Sequence, residues 1–219
     1  MHSLSSHEIL FRTNVGSHMW DMNHPGSDTD IFECYILPTR EILKGRIPTN
    51  HFTQDKENKI DVQRQEISKV TSEIIKSNLN YVGYIFSPIV LEGESFLSEY
   101  RHLGYRVISK QIYNSVKGMT ESNLKRYEKD LGDKVDEKRW AKIIRVLVFG
   151  TTLMRTGTIE FLPIRHGNRA IYEYWINALE DAKETGNLQS EPSDEDIDNL
   201  WDFVTNERIK RLERNENEN

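Results

Sequence analysis

Ser27-Asp28-Thr29-Asp30 follows Gly16-Ser17 after nine residues, and this stretch combines residue types that can do chemistry. Residues two apart in a strand share a face and lie roughly 6.5–7 Å apart along it. If a strand begins here, Asp28 and Asp30 project side by side. Two carboxylates so placed can share or divide a hard divalent cation, Mg²⁺ or Mn²⁺, which prefers oxygen ligands and keeps places for substrate phosphates. Gly16 would let the backbone approach a phosphate closely. Ser17 would add a hydroxyl and an N–H, where the start of a helical turn favours anions. A third acid would complete a two-metal site, and Asp61, in Lys59-Ile60-Asp61-Val62-Gln63, is the first choice, with Glu66 and Asp55 as alternatives. Two divalent ions roughly 3.5–4 Å apart clamp the attacking and departing oxygens of an in-line displacement.

Short strands in the first third of the chain must position these residues. Residues 8–15 read as a strand with Ile9, Phe11, Thr13 and Val15 on one face, broken by Gly16-Ser17. One short helical turn fits 17–23, and His24-Pro25-Gly26-Ser27 is a turn signal. A second strand is expected from Thr29 to Leu37, ended by Pro38. A third is expected from Lys59 to Gln63, after the polar stretch His51 to Asn58. Beyond Arg64 the period becomes helical. Ile67, Val70, Ile74 and Ile75 mark one helix, and Ser109 caps another that Gly118 should interrupt. The strongest helix spans about 136–156 with Gly157 at its end, another spans 169–184, and the last starts at a capping box formed by Ser193 and Asp196. The expectation is an α+β fold: a small mixed sheet near the N-terminus, then a helical bundle. The expected division is 1–90, 91–215 and a frayed tail at 216–219.

With these residues in place, the chain resembles the nucleotidyltransferases of the DNA polymerase beta superfamily, and more closely their small prokaryotic and phage members. In those proteins a strand leads into Gly-Ser-x-x-x-Gly and then Pro-Asp-Ser-Asp-x-Asp. Here the stretch reads Gly16-Ser17-His18-Met19-Trp20-Asp21 and Pro25-Gly26-Ser27-Asp28-Thr29-Asp30. The resemblance spans about residues 8–165, through Ile143-Ile144-Arg145-Val146-Leu147 and Arg155-Thr156-Gly157-Thr158-Ile159, and is most specific over 16–30. It implies a nucleotidyltransferase-type sheet, with Gly16, Ser17, His18 and Ser27 at the nucleotide, and Mg²⁺ on Asp28, Asp30 and Asp61, the catalytic carboxylates. Three positions depart from the pattern: Asp21 stands where glycine is usual, His18 where arginine is frequent, and Gly26 where an acid is found.

Lys138, Lys142 and Arg145 recur at helical spacing. A charge stripe is ordinarily the wet face of a helix, and Lys138 reads that way. Arg145 differs, because it interrupts an apolar run and needs a partner, so it is the expected triphosphate contact. The histidines show no ligand-like pairing, which argues against zinc. Cys34 reads as a small buried hydrophobe, and one of Tyr172 and Tyr174 should border the cleft. The formal net charge of −6 over 219 residues, with 29% charged and 37% hydrophobic, excludes a sequence-blind electrostatic DNA binder. Six prolines and twelve glycines exclude a low-complexity chain. No apolar run approaches the roughly 20 residues of a membrane span, and no basic-then-apolar leader is apparent. One cysteine excludes an intramolecular disulfide framework and fits a reducing cytoplasm.

The expected function is transfer of a nucleoside monophosphate from an NTP, ATP among the candidates, to an acceptor hydroxyl, with release of pyrophosphate. RNA is the preferred acceptor and protein another, with no membrane partner. The alternative is a catalytically weak nucleotide- or RNA-binding regulatory module of the same fold.

Overall fold

Alternating side chains in residues 8–15 and 29–36 give two strands whose shared face is apolar enough to need cover, and the rest of the fold supplies it. The computed structural model describes residues 7–45, 51–131 and 135–217. Strand β1 (Glu8–Val15) runs directly into α1 (Gly16–Met19), a single turn, and β2 (Thr29–Ile36) returns beside it. After α2 (Thr39–Leu43) come β3 (His51–Asp55) and β4 (Ile60–Glu66), then α3 (Ile67–Ile75), α4 (Leu79–Phe86), β5 (Val90–Glu92) and α5 (Glu94–Arg106). Helices α6 (Ile112–Leu131), α7 (Glu137–Thr156), α8 (Arg169–Thr185) and α9 (Asp194–Asn217) complete the chain. The sheet order is β3-β4-β2-β1-β5. It is mixed: β2 and β4 are parallel and the other pairs antiparallel. The α+β expectation is met.

Several expectations need correction. The stretch 51–58, read as merely polar, contains the edge strand β3, which needs little apolar character because its residues are almost all exposed. In β1 the register slips between Ile9 and Phe11, so Leu10 and Phe11 are both buried and the expected Ile9-Phe11 alternation fails. Helix α6 passes through Gly118 without a break, since one helical glycine costs only about 1 kcal/mol and α6 is held against α7. Helices α4 and α5 and strand β5 fill a region left without elements. Helix α9 extends to Asn217, and residues 218–219 of the tail expected at 216–219 lie outside the described residues.

Capping is local and legible. The Asp136 side chain accepts from the Arg139 N–H, Gly157 ends α7 at φ +73°, and Ser193 Oγ accepts from the Asp196 N–H at 3.1 Å. Ser109 sits at the start of α6, with its Oγ accepting from the Gln111 N–H at 3.4 Å. Phe11, Phe32 and Cys34 are fully buried on the sheet face that α3, α4 and α5 cover, and Cys34 is the small hydrophobe expected. Burial pushes its thiol well above the ordinary range. Helix α9 returns from the far end of the chain to pack on α5 and α3. There Arg208 pairs with the fully buried Glu66 and donates to the Leu37 carbonyl at 3.1 Å and to Ser68 Oγ at 2.7 Å. Among the described residues no helix is long and apolar enough to cross a membrane.

Candidate functional site

The register of three strands builds the site. Val15 on β1 stands opposite Asp30 on β2, and Asp30 stands beside Asp61 on the parallel strand β4. Neighbouring strands lie about 4.8 Å apart, so Asp30 and Asp61 are adjacent on one face, and both line a cavity of about 320 Å³. Asp30 is half-buried. Desolvation first, and then the like charges of Asp61 and Asp28, raise its pKa above the usual aspartate value, while His18 and Lys142 partly counter them. Asp61 is oriented by Gln54, whose Nε2 donates to its Oδ2 at 3.1 Å.

Gly16 is required at the β1–α1 junction for two reasons. Its φ is +62°, a left-handed conformation that side chains resist, and an added Cβ would stand 1.9 Å from Asp30 Oδ2. The carboxylate thus occupies space that any other residue would claim. Behind Gly16 the Ser17 carbonyl closes the turn by accepting from the N–H groups of Trp20 and Met22. Ser27 uses its hydroxyl within the 24–27 turn, accepting from the His24 N–H at 2.9 Å. Asp28 is exposed just before β2, outside the cavity lining but within electrostatic reach of Asp30.

Two nitrogen-bearing side chains near this region do not use all their hydrogen-bonding capacity. His18 Nδ1 and Arg145 Nε are buried and have no hydrogen-bond partner among the described residues. The Arg145 guanidinium lies 5.4 Å from the centre of the Trp20 ring, and burial lowers its pKa. Trp20 in turn packs edge-on against Phe149 and Phe161. Val146 and Phe149, on the same helix as Arg145, line the cavity, so α7 faces the sheet's acids. Lys142 is exposed but close enough to act on Asp30, whereas Lys138 is simply exposed.

The structure separates the alternatives for a third acid. Asp55 holds its own turn, accepting from the N–H groups of Glu57 and Asn58 and from Asn58 Nδ2. Glu66 is committed to Arg208. Asp61 alone of the three stands beside Asp30. Among the described residues no three His, Cys, Asp or Glu side chains converge as a ready-made cage for an ion. The oxygen-only donors and the mutual repulsion at Asp30 nevertheless fit a hard divalent cation, which completes its shell with water and phosphate oxygens.

Part of the wall was not foreseen: Phe52 from β3, Gln63 from β4, Asn80, Gly83 and Tyr84 from α4, and Met119 from α6. The Tyr84 hydroxyl donates to Gln63 Oε1 at 3.1 Å. The period of two from Asp61 to Gln63 could have flagged Gln63; nothing local marks the others. Neither Tyr172 nor Tyr174 lines the cavity. Tyr172 packs on Trp140, and Tyr174 is 64% exposed.

Comparison with known proteins bears on this arrangement. A solved structure of a nucleotidyltransferase-like protein from Exiguobacterium sibiricum 255-15 aligns with 93% of this chain and 70% of its own, at 10% identity and a TM-score of 0.32. None of the curated proteins matches the chain. The model of the RNA repair pathway DNA polymerase beta family matches residues 1–218. A match of that extent shows that this chain belongs to the RNA repair pathway DNA polymerase beta family.

Proposed function

We propose that the chain is a Mg²⁺- or Mn²⁺-dependent nucleotidyltransferase that moves an NMP from an NTP, ATP among them, to an acceptor hydroxyl, RNA before protein. The observation that carries this reading is the in-register pairing of Asp30 and Asp61 on parallel strands, beside a left-handed glycine and in a cavity whose wall includes Trp20, the ring that Arg145 covers.

Asp30 and Asp61, with Asp28 at the mouth, would hold the metal through carboxylate oxygens. When bound, a divalent cation neutralises phosphate charge and acidifies an acceptor hydroxyl. The chain's own residues do the rest. The Gly16-Ser17 turn brings backbone close to the phosphates, and His18 Nδ1 and Arg145 Nε offer them hydrogen-bonding capacity that the protein leaves unused. Asp61, steadied by Gln54, is the carboxylate placed to draw the acceptor proton. The acceptor oxygen then forms its bond to the α-phosphorus as the bond to the pyrophosphate oxygen breaks, and the electron pair leaves with pyrophosphate. Ser27 contributes by fixing the turn ahead of Asp28, and its hydroxyl proton is left to donate to the nucleotide.

A second reading draws on the lack of a convergent three-acid cage among the described residues: a nucleotide- or RNA-binding module with weak catalysis. One experiment distinguishes them. Thermal unfolding is followed with each NTP, with and without Mg²⁺, for wild type and Asp28→Asn/Asp30→Asn, alongside transfer of α-labelled nucleotide. A ligand at roughly 100 times its Kd stabilises by about 2.7 kcal/mol. A Mg²⁺-dependent shift lost in the double variant, with label transfer, supports the enzyme. A shift without transfer to RNA or protein favours the module, and unchanged binding and transfer in the double variant overturns the metal site.

A further inference from the structure

The sheet order separates two chemical environments across the acid pair. On one side, β1 and α1 carry Gly16, His18 and Trp20, with Arg145 over the Trp20 ring. On the other, β3 lies beyond β4 and presents Phe52. With strands about 4.8 Å apart, β3 and β1 stand about 14 Å from each other, with Asp61 and Asp30 between them. Arg145 and His18 stand at the first side, where Trp20 is covered by the arginine, and an uncovered aromatic ring stands at the second.

Phe52 is 60% exposed on an edge strand whose other exposed residues, Thr53, Gln54 and Asp55, are polar. Single exposed apolar side chains are ordinary, so exposure alone says little; placement says more. Of the large apolar side chains exposed among the described residues, which include Leu43, Leu91, Leu162 and Ile209, only Phe52 lines the cavity. It is paired across the strands with Gln63, and its neighbour two residues on, Gln54, is paired with Asp61 and hydrogen-bonded to it. Phe52 and Gln54 therefore share the face that carries the acid. The ring is held by the backbone at the Asp61 side of the site and is left bare.

We propose that Phe52 is the stacking platform for the terminal base of the acceptor strand, so that the acceptor is a single-stranded RNA whose 3′-hydroxyl is delivered to Asp61. This rests on the nucleotidyltransferase reading, because it assigns the aromatic side of the acid pair to the acceptor and the cationic side to the donor triphosphate. A bare ring accepts the face of any base, which suits an end whose sequence varies. The Gln63 carboxamide has its Oε1 taken by Tyr84 and keeps its N–H donors for a base edge.

The test uses the full chain and a short single-stranded RNA ending in 3′-2-aminopurine, whose fluorescence is quenched on stacking. Phe52→Ala and Phe52→Leu should each weaken RNA binding by about 5- to 150-fold, the span of base–aromatic stacking, and abolish the quenching. Phe52→Trp should retain both. Because Phe52 lies on an exposed edge, all three variants should keep wild-type melting temperatures. Leu separates stacking from mere apolarity. Quenching and affinity unchanged in Phe52→Ala would overturn the proposal. So would transfer to a protein that RNA does not inhibit, or a dimer that Phe52→Ala dissociates. If wild type shows Phe52-dependent quenching but no NTP shift, the platform stands and the donor reading falls.

Discussion

At the scale of single residues, Asp30 is the most constrained group in the site. Its carboxylate fills the space where a side chain on residue 16 would begin, and it sits against two other negative charges. A raised acid pKa means that the native state binds a proton before the unfolded chain does. Its favourable contribution is thus complete below the ordinary aspartate pKa and is lost as pH rises through the elevated one. Asp30→Asn should therefore raise the melting temperature at neutral pH without metal, while lowering transfer by about 10²–10⁴-fold. Calorimetry and label transfer on one preparation check both. In wild type, metal-dependent NTP binding should weaken as pH falls through the raised pKa, because a protonated Asp30 cannot hold a cation; titration calorimetry across that range reads it. The positions of Gly16 and Ser17 at the end of β1 and of Asp28 and Asp30 at the start of β2 were legible from spacing, and Arg145 drew notice by interrupting an apolar run. Phe52, Trp20 and Tyr84 were not readable, because an aromatic residue near a site looks like any core residue until the fold places it.

At the scale of elements, glycines report what the helices must accommodate. Gly83 lies inside α4 and lines the cavity. A Cβ there would meet Met19 Cε at 3.6 Å, an ordinary contact, so packing does not demand glycine. Gly83→Ala should stabilise the fold by about 0.5–1 kcal/mol. Gly150 on α7 is the opposite case, with an added Cβ 2.4 Å from Val116 Cγ2 of α6. Gly150→Ala should cost about 1–3 kcal/mol. Denaturant unfolding of the two variants should give opposite signs. Strands with one apolar face and helices with caps were legible from the sequence. Helix α4, Leu-Asn-Tyr-Val-Gly-Tyr-Ile-Phe, was not, because a short and almost continuously apolar run reads equally as a buried strand. The edge strand β3 carries no burial pattern to read, and the slip between Ile9 and Phe11 obeys local sheet geometry rather than alternation.

At the scale of the whole molecule, Arg208 and Glu66 join the last helix to the end of β4, five residues beyond Asp61. The Glu66 side chain is fully buried and that of Arg208 only 13% exposed. Removing one partner of such a pair leaves a desolvated charge, so Arg208→Met should destabilise the protein by about 3–5 kcal/mol, and adding Glu66→Gln should recover part of that loss. Chemical denaturation of the single and double variants measures the difference. The pairing also has a consequence for biosynthesis. Chains fold from the N-terminus as they are made, so the acid-bearing strands leave the ribosome well before the helix that neutralises Glu66. A nascent chain can pair β2 with β4 early and still carry a charge that belongs in the interior. Maturation of the candidate site thus waits on the synthesis of α9.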